Sequence, residues 1–335
     1  MKTSVLRGAA AGVALATALA VAGCGGNLDQ GDENGSAGTF PAGPITMLVG
    51  QDAGGSTDLV GRALADQVSE HLGVPVTVQN RPGANGALAA KELAGAKPDG
   101  QTVMVFVGSL AYITPLAVAD NEAVDINDYE IVTGISQDDY VLVASPKTGF
   151  TTVQDIVGAK RPVTFGTTGV GTGSQLCQEL LFAATGVRAT AVPFDGGAPT
   201  LTAVLGGQVD LAAVQLGEAQ AQITAKKLNP IVTFAAKRPS YLPDTPTAIE
   251  AGYDVPVQQS RAIVAPKGTP TEVAAKLREA FQSAFASPAY REFNAKRLLT
   301  PNEVDGATVL QQWTGNLATY RDLVAKNKIN LGKDG

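Results

Sequence analysis

From about residue 45 to residue 265, apolar β-rich runs alternate with helical patterns, and two of the strand-to-helix joins are loops of glycines and hydroxyls. Alternation of this kind confines a chain to α/β architecture with largely parallel sheets, because strands buried on both faces need helices to cover them. Residues 45–49 read as a first strand. Residues 57–72 read as a helix, with Leu59, Val60, Ala63, Leu64, Val68 and Leu72 on one side at helical spacing. A strand at 74–79, a helix at 85–94 and a buried strand at 102–107 follow, then shorter strands at 129–132 and 141–144. A second unit runs strand 163–165, helix 174–185, strand 189–192, helix 200–205, strand 211–214, helix 219–226 and strand 231–234. A strand at 262–265 leads into a helix at 271–285, announced by Pro270, and a helix at 310–328 closes the chain. The two halves share one event, strand to polar glycine loop to helix, without a sequence repeat strong enough to show duplication.

The two loops carry the chemistry. In Ala53-Gly54-Gly55-Ser56-Thr57-Asp58 the glycines permit a tight turn and let a ligand approach peptide N–H groups. Ser56 and Thr57 can cap the helix or donate to a ligand. The helix start favours an anion by about 0.3–1 kcal/mol. A plain capped turn is the other reading. The second loop, Gly166-Thr167-Thr168-Gly169-Val170-Gly171-Thr172-Gly173-Ser174, has four glycines and four hydroxyls in nine residues. One such loop per half supplies the parts needed to clamp an anion between two helix N-termini. A nucleotide site fits poorly. Neither loop has the Lys-Ser/Thr ending of a phosphate-binding loop, and the dinucleotide fingerprint fails where Ser174 replaces its third glycine.

The N-terminus sets the compartment. Lys2 and Arg7 precede an apolar run at 8–23, short for a membrane span of about 20 residues and ending in small residues as a secretory signal does. Val21-Ala22-Gly23-Cys24 resembles the lipobox of bacterial lipoproteins, in which Cys24 is lipidated and becomes the mature N-terminus. An ordinary signal peptide or a short anchor helix is the alternative. Residues 24–43 are too polar and glycine-rich to bury surface, so they read as a flexible tether with a reach of roughly 20–25 Å. Without Lys2 and Arg7, 23 basic side chains face 31 acidic ones, a charge of −8 that argues against nucleic acid as a partner. Cys177 then has no disulfide partner and reads as a small buried residue rather than a reactive thiol. One histidine, His71, expected at the surface, gives no transition-metal cluster, and no cofactor is expected.

In order along the body stand Ile45-Thr-Met-Leu-Val with Gly54-Gly-Ser-Thr-Asp58, Asn80-Arg-Pro-Gly83 with Lys97-Pro-Asp-Gly100, Leu205-Gly-Gly-Gln-Val-Asp210, Leu242-Pro-Asp-Thr-Pro246 and Ala265-Pro-Lys-Gly-Thr-Pro270. This ordered set resembles the Bug-type substrate receptors of tripartite tricarboxylate transporters. The resemblance implies a type-2 periplasmic-binding-protein fold, two α/β lobes joined by crossing hinge strands. It also implies a carboxylated solute in the cleft and delivery to a membrane permease with one large and one small subunit. The receptor is expected to be a monomer outside the cell membrane. One lobe is expected from 44–144 plus 261–335 and the other from 145–260, with crossings near Val141 and Ile263.

Carried over residue by residue, Gly54, Gly55, Ser56, Thr57 and Asp58 match the family's first loop, with Asp58 expected to order that loop more than to touch an anion. Gly166, Thr167, Gly169, Gly171 and Thr172 match its second loop. Ser109 stands where the family offers a small polar cleft residue. Phe194-Asp195-Gly196-Gly197 replaces the family's Tyr-Lys-Gly-Ser run, so Phe194 keeps an aromatic wall while a lysine and a hydroxyl are missing. Gln215 falls where the family often shows Asp-Asn. Gln51-Asp52 replaces an apolar pair, and Arg261 an aromatic residue. An arginine can hold a carboxylate through paired hydrogen bonds and an acid can hold an ammonium. Asp52 and Arg261 therefore either adapt the cleft to a polar, zwitterionic or dicarboxylic ligand or lie in solvent at its rim.

Catalysis has no visible machinery: the chain has no Gly-x-Ser-x-Gly elbow and no histidine–acid partner set, and Asp138-Asp139 reads as a solvated polar turn. A binding protein that presents its ligand to a membrane sensor rather than a permease is the remaining alternative.

Overall fold

The structure is a computed structural model that describes residues 40–332. The signal segment 1–23, Cys24 and the tether to residue 39 lie outside the described residues.

The strands are β1 Ile45–Val49, β2 Val76–Asn80, β3 Thr102–Val107, β4 Tyr129–Ala144, β5 Val163–Thr167, β6 Ala189–Pro193, β7 Leu211–Gln215, β8 Asn229–Thr233 and β9 Gln258–Pro266. The helices are α1 Ser56–Leu72, α2 Ala87–Ala94, α3 Ser109–Tyr112, α4 Val153–Val157, α5 Gly173–Thr185, α6 Gly197–Gly206, α7 Leu216–Thr224, α8 Thr271–Ala286, α9 Pro288–Arg297 and α10 Gly306–Lys326. Strand order is β2-β1-β3-β9-β4-β7-β5-β6, with β8 also on β4. Pairing of β1 with β2 and β3, and of β5 with β6 and β7, is parallel, as strand–helix alternation requires.

The two halves meet on β4. From Tyr129 to Asp139 this strand pairs with β9, and from Tyr140 to Ala144 with β7. It is one element of 16 residues, not the two short strands expected from hydropathy. Its middle, Thr133 to Asp139, is polar but inside the sheet. There Gly134 N donates to Val304 O (2.8 Å), Gln137 N to Thr300 O (2.9 Å) and Asn302 N to Ile135 O (3.1 Å). Asp138 is 0 % exposed, so the expected solvated turn at Asp138-Asp139 is instead buried strand. Sequence pattern missed it because its polar side chains are satisfied by distant segments.

Helix α1 shows how the layers close. Val60, Leu64 and Val68 are fully buried against the sheet, each contributing roughly 1.5–3 kcal/mol by leaving water. Gly61 lets the helix axis come close, since a Cβ there would stand 3.1 Å from Val49 Cγ2. Gly73 ends the helix with φ 68°. Opposite it, Trp313 of α10 stacks on Phe106 at 5.6 Å and donates Nε1–H to Ser260 Oγ at 2.7 Å.

Candidate functional site

The first glycine loop enters α1 with Gly55 as its N-cap and no side-chain cap. Ser56 and Thr57, expected to cap the helix or meet a ligand, turn their hydroxyls toward Arg261. Its Nε donates to Thr57 Oγ1 (3.1 Å) and its Nη2 to Ser56 Oγ. Asp58 orders the loop: its carboxylate accepts from Gly54 N (2.9 Å), Asn80 Nδ2 (2.9 Å) and Arg62 Nε (3.1 Å). Burial pushes this carboxyl up, but Arg62 and the bonds from Gly54 and Asn80 outweigh it and hold it below the usual range.

Arg261 is neither at the rim nor in the cleft. It is 0 % exposed and forms a contact ion pair with Asp138, and its Nη1 also reaches Ser136 Oγ at 3.3 Å. The remaining Asp138 oxygen accepts from Thr300 N at 2.9 Å. Either cleft contact or exposure at the rim was expected from a lone cationic departure in sequence. Its acid partner, more than a hundred residues away, has no local signal.

The second loop largely satisfies itself. Thr167 Oγ1 and Thr172 Oγ1 both donate to Gly169 O (3.1 and 2.8 Å), Thr172 caps α5 by accepting from Gln175 N (3.2 Å), and Gly171 N donates to Gln175 Oε1 (2.8 Å). Gly171 also seats the halves together. Its carbonyl accepts from Thr114 Oγ1 at 3.1 Å and Asn85 Nδ2 at 3.5 Å, and a Cβ on it would approach Thr114 Cα to 2.8 Å.

Between the halves lies a cleft whose empty space, open solvent included, is about 390 Å³. Gly55, Ser56 and Thr57 line it from the first loop, Thr168 and Thr172 from the second, and Ser109 from the end of β3. Gly54, Asp58, Thr167, Gly169 and Gly171 brace the loops without lining it. Phe194 also stands outside: its ring edge packs near Gly166 in the apolar layer, and Tyr140 supplies the aromatic face of the cleft instead. Gln215 points away, donating to Arg297 O and Leu298 O at 3.4 Å.

Sequence reasoning passed over Asn85, Tyr140, Glu218 and Gln259, all of which line the cavity, and marked Gln51, Gly196 and Gly197 merely as departures. Asn85 had a signal: Pro82-Gly83-Ala84-Asn85-Gly86 is a turn sequence, and Asn85 adopts φ 57° there. From that turn its amide donates to Ser109 Oγ and Thr114 Oγ1, both at 3.1 Å. Glu218 lies in the first turn of α7, and its Oε1 accepts the Ser56 N–H at 2.5 Å across the cleft. Burial pushes its carboxyl up, opposed by the Ser56 bond and the Arg261 charge. Burial likewise keeps the Tyr140 hydroxyl protonated and pushes the Cys177 thiol well up, leaving that residue inert in the core. His71 is exposed at the end of α1, and no group of three metal-ligating side chains forms among the described residues.

Two α/β halves linked through one long strand, with a polar cleft where they meet, define a solute-binding protein of the periplasmic two-lobe class. The comparisons agree. The family model described as tripartite tricarboxylate transporter family receptor matches residues 60–328. The UPF0065 protein in the TAR-I ttuE-ttuC' intergenic region of Agrobacterium vitis is 35% identical over 276 residues, 81% of this chain and 79% of that protein. The solved structure of periplasmic binding protein BugD matches with a TM-score of 0.82 at 27% identity, covering 87% of this chain and 99% of BugD. MatC from Rhodopseudomonas palustris, solved with bound malate, matches with a TM-score of 0.80 at 27% identity, covering 85% of this chain and 100% of MatC. The chain belongs to the tripartite tricarboxylate transporter receptor family, a family of solute-binding receptors, and has the type-2 periplasmic-binding-protein fold.

Proposed function

We propose that this protein captures a small carboxylate-bearing solute outside the cytoplasm and presents it to a membrane permease of one large and one small subunit, without chemistry on the solute. In this reading it is exported, anchored through lipidated Cys24 and monomeric. The observation that carries the reading is the cleft itself, a polar pocket lined from both halves by hydroxyls and amides. Malate in the related MatC is the precedent for a carboxylate guest.

The lobes are residues 44–144 with 261–335, and 145–260, except that Tyr140–Ala144 pair with β7 and β8 and so go with the second lobe. β4 and β9 carry the connections. Partners on β4 change between Asp139 and Tyr140, and β9 begins pairing at Gln258, so flexing is expected at those two places. Asn85, Thr114 and Ser56 on one side, with Gly171 and Glu218 on the other, bond across the gap. A solute that touches both sides adds contacts only the closed form can make, and so shifts the population toward closure.

Thermal unfolding with mono-, di- and tricarboxylates, aromatic acids and amino acids tests this. A cognate acid at 100 times its Kd stabilises by about 2.7 kcal/mol, a shift of several degrees. Stabilisation by a neutral sugar and by none of the acids overturns the assignment.

A further inference from the structure

Among the described residues lining the cleft, the one acidic or basic side chain is that of Glu218. Its carboxylate is wedged between the starts of two helices. Oε1 takes the Ser56 N–H of α1, and Oε2 lies against Gly197 of α6, where a Cβ would displace the carboxylate. The nearby cation acts on it only at a distance, because Arg261 is in contact with Asp138 behind Ser56 and Thr57.

A second acceptor faces the same corner. Gln51 is 9 % exposed and lines the cavity, and its side chain lies against Gly196, the neighbour of Gly197. Its Nε2 donates to Asn85 O at 3.2 Å, which fixes the orientation of the amide. Its Oε1 is buried with no hydrogen-bond partner. A buried acceptor left without a donor is unfavourable unless a guest supplies one. Donors line the same cleft. Ser109 Oγ accepts from Asn85 and so keeps its own O–H to give, and burial keeps the phenol of Tyr140, which also lines the cleft, protonated.

We propose that the solute is a zwitterion, bearing an ammonium or similar cationic nitrogen beside its carboxylate. Glu218 and Gln51 Oε1 hold the nitrogen, and the Ser109 and Tyr140 hydroxyls receive the carboxylate. The inference rests on the carboxylate-receptor reading and narrows it to one substrate class.

The test is calorimetric titration of the full chain with pairs of equal backbone length that differ by one amine: L-aspartate against succinate, L-glutamate against glutarate, L-2-aminoadipate against adipate. A charge-assisted hydrogen bond to a buried carboxylate is worth at least about tenfold in affinity. At least one pair should therefore favour the amine by that factor in the natural protein. Glu218→Gln should collapse the preference toward unity while improving binding of the amine-free acid. The comparison within the natural protein stands even if the variant misfolds. Equal or tighter binding of every amine-free acid overturns this inference and leaves the carboxylate reading intact, as does a preference unchanged in a folded Glu218→Gln protein. Failure of every acid to bind overturns both.

Discussion

Replacing Asp138 by alanine leaves the Arg261 guanidinium buried without its counter-ion. Both side chains are 0 % exposed, and the carboxylate accepts from Arg261, from Ser136 Oγ at 2.8 Å and from Thr300 N at 2.9 Å. Breaking one side of such a pair costs about 3–5 kcal/mol, because the surviving charge is left buried without its contact partner. For a body of this size that lowers the melting temperature on the order of 10 °C. Urea unfolding followed by circular dichroism measures it as a fall in midpoint at constant slope. Replacing the pair together, Asp138→Leu with Arg261→Met, removes both charges and should restore most of the loss. A loss below about 1 kcal/mol in the single variant contradicts the reasoning. So would a double variant as unstable as the sum of its parts, since the cost would then come from packing rather than a stranded charge.

Two further outcomes follow from the geometry. Gly171→Val places a Cβ 2.8 Å from Thr114 Cα at φ 69°, so it should weaken solute binding at least about tenfold by obstructing closure, with binding in the natural protein as reference; unchanged affinity shows that closure does not use this contact. Glu179 has its carboxyl pushed up to about 7 by burial. Its folded-state pKa lies above the unfolded value, so stability from this group is lost as pH rises between about 4.5 and 7. Glu179→Gln should therefore stabilise by about 1–2 kcal/mol at pH 8 and change little at pH 4; equal effects at both values refute the assignment.

The alternation of strands and helices was readable in sequence because it rests on local periodicity: α1, α5 and α8 appear within a residue or two of where apolar spacing and Pro270 put them. What escaped reading depends on distant partners. Thr133, Ser136 and Asp138 look like a loop until Thr300, Asn302 and Val304 satisfy them as strand. The glycine loops were legible as the floor of the site, yet their division of labour was not. Nothing local distinguishes Ser56, which faces the cleft, from Asp58, which turns back on Gly54 and Asn80. Glu218 is the sharpest case. In sequence it is an ordinary acid in the first turn of a helix, where the dipole welcomes it. Its meaning comes from Ser56, 162 positions away, whose N–H it occupies.

A crystal structure of the protein with the acid that most raises its melting temperature probes the central claim most directly. The account predicts that solute in the cavity between β3, α1 and α5, with a carboxylate oxygen within hydrogen-bonding reach of Ser109 or Tyr140 and further contacts from both halves. A solute bound outside that cavity, or held there by one half alone with the other swung away, contradicts it.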